Sequence, residues 1–254
     1  MTGADARICR RKRHATPVQV SAFLSMCRLT GTERDRLLNL CEDQRTPGWL
    51  QQHGSQLPAQ LTTLINHESK AVVISDFQST VVPGLLQTGD YARALLQEAG
   101  RVPAAEIDDR VAARLARKIL FSRERPAAFR FYLHEFVLRL VVGGPAVMVE
   151  QLDHLHWMSL RPYLTLRVVP AALGGHAATA GSFTLMEFPE FKPLVYLESE
   201  TSSLFLERPE EITAYRSILG GLAKTALGEE ESRQLIATLA TELSAEREDH
   251  DDRT

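Results

Sequence analysis

Apolar positions along the chain follow two periods. Up to about residue 122 they recur at helical spacing, and beyond it short runs alternate with a period of two. Thr16-Pro17 opens a first helix, a hydroxyl cap followed by proline, with Val20, Phe23, Leu24 and Cys27 on its apolar face. Thr30-Gly31 breaks it, and Thr32 caps a second helix striped by Leu37, Leu38 and Cys41. After the junction Pro47-Gly48-Trp49, Leu57, Leu61, Leu64 and Ile65 predict a helix running to about residue 70. Ala71 to Phe77 is a short β-branched run, and Val81 to Gly84 reads as a turn. Thr88 caps a helix carrying Tyr91, Leu95 and Leu96, and Ile107, Val111, Leu115, Ile119 and Leu120 predict an amphipathic helix over 104–122.

The second half predicts five strands, at 129–133, 163–169, 182–188, 194–198 and 203–207. Helices are expected at about 145–159, 209–226 and 229–246. Strands clustered between helical ends imply an α+β fold rather than repeated βαβ units. The domain limits that follow are a basic leader and two-helix unit at 1–46, an α+β domain at 47–246 and an acidic tail at 247–254.

Composition narrows the function classes. With 254 residues and 44% hydrophobic positions the chain is too apolar to be disordered, yet no run is long enough for a membrane span. Cys9, Cys27 and Cys41 form neither a disulfide framework nor a zinc spacing, so a reducing cytoplasm is expected, with no membrane partner. The net charge of −3 is uneven: Arg7, Arg10, Arg11, Lys12 and Arg13 leave 24 basic against 32 acidic residues elsewhere, a net −8. A basic head therefore precedes an acidic body.

Motifs for common chemistries are missing. His134-Glu135 has no second histidine four positions on, and no nucleophile elbow, phosphate loop or dinucleotide fingerprint occurs. The expectation is no metal and no cofactor. Two features stay open: the loop Gly174-Gly175-His176, and a set of charges on or beside strands, Glu135, Arg139, Arg167 and Glu198. A desolvated strand-end carboxylate can serve as general acid or base, and equally as one half of a structural ion pair. Arg110, Arg114 and Arg117 share one helix face, where they could clamp an anionic ligand or pair with nearby carboxylates.

Several short motifs in order carry a resemblance. Val82-Pro-Gly-Leu-Leu-Gln-Thr-Gly-Asp-Tyr-Ala-Arg-Ala-Leu95 is followed by Arg110 to Arg117, Leu133-His-Glu135, Val142-Gly-Gly144, Met148 and Gln151-Leu152. Then come Val169-Pro170, His176, Gly181-Ser-Phe-Thr184, Val195-Tyr-Leu-Glu198 and Leu206-Glu-Arg-Pro-Glu-Glu-Ile212, ahead of a helix with Tyr215. Over about residues 47–240 this resembles the C-terminal domain of actinobacterial Xre-type helix-turn-helix regulators. That domain has no firmly assigned biochemical function; the resemblance implies a sensor of a ligand or partner that controls an attached DNA reader.

Against that pattern Thr16–Asp43 resembles only the last two helices of a helix-turn-helix bundle. Ala6, Cys9 and Arg11 stand where such regulators carry serine, glutamate and glycine. The leading reading is thus a regulator-derived protein that has lost sequence-specific DNA reading and acts through its C-terminal domain on a small molecule, a protein partner or a second copy of itself. On this reading Arg139, Arg167, Arg110, Arg114, Tyr196 and Phe183 are the ligand-binding candidates, and Arg10, Arg11, Lys12 and Arg13 make at most unspecific phosphate contacts. A second reading is a cofactor-independent cyclase, isomerase or lyase of specialised metabolism, with Glu135 and Glu198 as acid and base and His176 as proton shuttle. A third is a DNA-binding transcriptional regulator with a mis-set start.

Overall fold

The computed structural model describes residues 59–199 and 202–251, all within one compact unit, His53–Thr254. The basic leader, the two-helix unit and the candidates Arg10, Arg11, Lys12 and Arg13 lie outside the described residues. Among the described residues the fold is α+β: seven α-helices and a six-stranded mixed sheet. In chain order these are α1 (Ala59–Lys70), β1 (Val73–Gln78), α2 (Gly89–Ala99), α3 (Ala104–Ala116), β2 (Ala128–His134), α4 (Glu135–Arg139), α5 (Gly144–Met158) and β3 (Leu164–Val169). After them come β4 (Phe183–Glu187), β5 (Leu194–Glu198), β6 (Ser203–Leu206), α6 (Pro209–Thr225) and α7 (Glu229–Asp251).

The spatial order is β3-β2-β1-β4-β5-β6. β1, β2 and β3 run parallel, and β4, β5 and β6 continue antiparallel from β1. This corrects the sequence expectation in one respect. The run at 71–77 is the central strand, and two strand–helix–strand crossovers build the parallel half. A parallel pair needs such a crossover, because a short turn cannot return the chain to the same end of the sheet.

Alternation along the strands separates two cores. Ile74, Phe129, Phe131, Leu133, Leu166, Val168 and Met186 face α5 and α7, while Phe77, Tyr132, Phe183, Leu185 and Val195 face α6. We refer to these as the first and second faces. Parallel strands covered on both sides must be apolar on both sides, which is why β2 reads as a nearly continuous apolar run. The outer edge of β3 is closed by the start of α7: Val168 N donates to Ser232 Oγ at 2.9 Å, and Leu227 N donates to the Val168 carbonyl at 2.8 Å.

Local signals hold where they were strong. Thr88 caps α2, its hydroxyl accepting from Tyr91 N, and Pro209 opens α6 at the first helical position. The helix expected over 104–122 changes character, however. It is α-helical to Ala116 and tightens into a 3-10 turn over Arg117–Ser122. Arg117, at the start of that turn, is buried, whereas Arg110 and Arg114 are only partly so. The last helix continues through the expected acidic tail to Asp251.

Candidate functional site

The register places one acid in the middle of an otherwise uncharged row. Across the first face run Leu166, Phe131, Asp76, Thr184, Tyr196 and Phe205, one from each strand. Asp76 is buried there. Thr184 Oγ1 donates to its Oδ2 at 2.7 Å, and Gln78 Nε2 donates to its Oδ1 at 3.0 Å. Burial raises the Asp76 carboxyl to about 6, with those two hydrogen bonds pulling the other way.

Beside it lies a buried ion pair. Arg117 Nε donates to Glu68 Oε2 at 2.9 Å, and Nη2 donates to Oε1, so α1 is forked onto the 3-10 turn. Desolvation opposes the Arg117 charge, yet the Glu68 carboxylate holds its pKa above the usual guanidinium value. The Val82–Thr88 segment folds over this pair. A Cβ on Gly84 would stand 3.1 Å from Arg117 Nη1, so glycine lets the chain pass close. The segment is pinned by side chains: Gln87 Nε2 donates to the Val82 carbonyl, Val82 N to Tyr91 Oη, Gln151 Nε2 to the Leu86 carbonyl, and Thr88 N to Gln151 Oε1. The motif Pro-Gly-Leu-Leu-Gln-Thr thus encodes a rigid lid on a charged core.

Arg114 sits at the outer end of this network. Its Nη1 donates to Gln87 Oε1 at 2.8 Å, a neutral amide, and it makes no ion pair among the described residues. Burial depresses its pKa, the like charge of Arg117 adds to that, and the Glu198 carboxylate opposes it. Arg110 pairs with Glu106 at 3.1 Å within α3, leaving its Nε buried with no partner among the described residues. Tyr196 faces the same region, its phenol raised by burial and then by the charge of Glu198. Of the nominated ligand residues, Arg110, Arg114 and Tyr196 therefore share one neighbourhood, with Glu198. The three-arginine clamp is corrected: Arg117 turns inward to Glu68.

Glu135, Arg139 and His176 gather elsewhere, at the carboxyl ends of β2 and β3. Glu135 is the first residue of α4. Its Oε1 accepts from Arg139 Nε at 2.7 Å, and its Oε2 accepts from Ala171 N at 2.9 Å. The Ala171 amide, then Arg139, hold the Glu135 carboxyl below its ordinary value. The His176 ring lies 5.5 Å from that of His134, centroid to centroid, and its pKa is lowered by burial and then by His134. Glu135 and Glu198 do not converge: Glu198 is exposed and belongs to the Arg114 neighbourhood.

Arg167 and Phe183 are occupied. Arg167 donates through Nε, Nη1 and Nη2 to the carbonyls of Leu227, Ala223 and Ala226, closing the end of α6, so its place among the ligand contacts is corrected to a helix stop. Phe183 packs on Tyr215 at 4.7 Å inside the second core.

A family model described as a domain of unknown function (DUF5753) matches residues 61–238. The chain belongs to that family. No curated protein and no solved structure matches it. The DUF5753 match spans everything from α1 into α7, so both polar neighbourhoods fall inside the domain.

Sequence reasoning missed Asp76, Glu68 and His134 as members of these sites. Asp76 had one available signal, a lone acid inside a β-branched run. Glu68 lies 49 residues from Arg117, and nothing local announces that pairing. An open groove of about 500 Å³ along α7, over Ala237, Thr238, Thr241, Glu242 and Ala245, touches none of the nominated residues. Among the described residues no group of three or more metal-ligating side chains occurs, and no helix is long and apolar enough to cross a membrane.

Proposed function

We propose that this DUF5753 domain is a regulatory binding module rather than a catalyst, and that it takes a small anion at Arg114. The observation that carries the reading is the imbalance there. A half-buried guanidinium is flanked by another cation, and the group that directly meets it is an uncharged amide. Desolvating a cation with no carboxylate in direct contact is costly, so an arriving carboxylate or phosphate gains both charge and hydrogen bonds.

The enzyme reading has less support. Its acid and base would be Glu135 and Glu198, which lie in separate neighbourhoods, and Glu135 is already held by Arg139 and the Ala171 amide. In the regulatory reading the domain acts on a partner or on a second copy of the chain, in the cytoplasm, without reading DNA sequence itself.

The test is calorimetric titration of the full chain with inorganic phosphate and with succinate, for the native protein and R114Q. Binding by the native chain, weakened at least tenfold in R114Q with an unchanged melting temperature, is the expected result. Absence of binding of both anions, or equal binding by R114Q, overturns the Arg114 site. Tight, sequence-specific DNA binding by this chain alone would overturn the loss of the reader.

A further inference from the structure

We infer that the strand ends at His134 and His176 form a second binding site, one that takes the carboxylate of an amphipathic small molecule on two neutral imidazole N–H groups. The site is separate from Arg114 and does not depend on it.

Backbone contacts fix the tautomers of both rings. His134 Nδ1 accepts the backbone N–H of Phe136 at 3.1 Å, which caps α4. His176 Nδ1 accepts the backbone N–H of Ala178 at 3.2 Å. A backbone amide can only donate, so in both rings Nδ1 is the acceptor and the proton of the neutral imidazole sits on Nε2. Neither Nε2–H meets an acceptor among the described residues. Both rings are half-buried, 5.5 Å apart and tilted by 30°.

These donors are held in advance of any ligand. His134 is fixed at the end of β2, paired in register with Val169 of β3. His176 rests edge-on against the fully buried Phe77, centroids 5.4 Å apart. Its backbone is clamped by Thr179: His176 N donates to Thr179 Oγ1 at 3.0 Å, and that hydroxyl donates back to the His176 carbonyl at 2.6 Å. The loop packs on α6, where a Cβ on Gly221 would come within 2.7 Å of Ala177 Cβ. A pre-fixed donor loses little freedom on binding.

The chemistry selects the ligand class. Two N–H groups with both Nδ1 lone pairs already used cannot ligate a metal without breaking the backbone contacts. They also cannot abstract a proton. They can donate, and a carboxylate offers two oxygens with several lone pairs. An ammonium has donors only and finds no acceptor on the two rings, the Glu135 carboxylate beside them being already held by Arg139 and the Ala171 amide. Around the pair stand apolar surfaces left in water: Phe136, 47% exposed, and Leu173, 38% exposed, in the turn that Glu135 ties to α4. They would cover hydrocarbon next to the carboxylate.

The experiment uses the full chain with octanoate as the probe and octylammonium as its charge-reversed control. Long-range proton–nitrogen spectra of the histidines should show the Nε2–H tautomer at His134 and His176, and octanoate should shift both signals. H134N and H176N are the informative variants. The asparagine Oδ1 can replace Nδ1 as the backbone acceptor, while the donor at the outer Nε2 position is lost, the asparagine NH2 being too short to reach it. Each should weaken octanoate binding at the histidine pair at least tenfold, read from the shift of the remaining histidine signal. No shift of the two signals with octanoate overturns the site, as does wild-type affinity in both variants or equal binding of octylammonium. Should either variant fail to fold, the tautomer and shift measurements on the native chain still decide. Phosphate binding kept in H134N and H176N while the octanoate shift is lost would separate this site from the Arg114 reading.

Discussion

Two carboxylate–guanidinium pairs in this domain look alike on paper and sit in opposite surroundings. Glu68–Arg117 lies inside, both side chains under 10% exposed, beneath a loop that glycine and two glutamines hold shut. Glu135–Arg139 lies at the strand ends, with Arg139 half exposed and a turn amide as third partner. The inner pair has no water to fall back on, so each charge depends on the other. The outer pair is screened, and its geometric duty is to anchor the Ala171–Leu173 turn beside the two histidines. The comparison teaches that ion-pair chemistry alone does not mark function; what matters is which neighbours the pair leaves unanswered.

Removing one member of the inner pair has the largest expected effect. E68A leaves Arg117 buried without a counterion and should cost about 3–5 kcal/mol of unfolding free energy. Urea denaturation measures it. A double replacement with apolar residues of similar volume should recover much of the loss, because neither charge is then stranded. A loss in E68A below about 1 kcal/mol would mean that water reaches Arg117.

Asp76 gives the next largest effect, and it depends on pH. Its carboxyl is raised from 3.8 to about 6 by burial. Between those values the folded chain keeps a proton that the unfolded chain has released, so stability falls as pH rises through the window and levels off above it. D76N should abolish that fall and be more stable than the native chain at pH 7–8 by up to about 2–3 kcal/mol. Thr184 can turn its hydroxyl to suit the amide. A native curve as steep in D76N as in the parent would exclude Asp76 as the cause.

His154 pulls in the other sense, with a shift of similar size that counts for less because the ring is only partly buried. Burial, then Lys118 with its Nζ 3.2 Å from Nε2, lowers its pKa from 6.5 to about 4. The unfolded chain takes up a proton first as the pH drops, so the native fold loses stability from about 6.5 down toward 4. H154Q should flatten this acid-side decline, leaving the Asp76 slope exposed in the same thermal-melt series.

How much of this could be read from residues follows from range. Caps, strands and the α+β class are local: Thr88, Pro209 and the alternating run at 129–133 announce themselves within a turn or two. The helix face holding Arg110 and Arg114 was also readable. The burial of Arg117 was not, because its partner Glu68 comes from α1, 49 residues away. The run at 71–77 was visible as β-branched, but its place at the centre of the sheet is decided by pairing with β2 and β4. His134 drew notice only for lacking a histidine four residues on. Its actual neighbour, His176, arrives from the loop after β3, and only the register of the parallel strands brings the two together.

The smallest effect belongs to the outer pair, and it refines the comparison. E135Q removes the charge that meets Arg139 while keeping an oxygen for the Ala171 amide. An exposed pair of this kind contributes about 0–1 kcal/mol, so E135Q should change stability by no more than a few tenths. E135A also deletes the acceptor for Ala171 N and should cost about 1 kcal/mol. That amide holds the turn bearing Leu173, so E135A, unlike E135Q, should also raise hydrogen exchange across residues 171–174. Equal exchange in the two variants would show that the charge on Glu135, and not its bond to the turn, shapes the rim around His134 and His176.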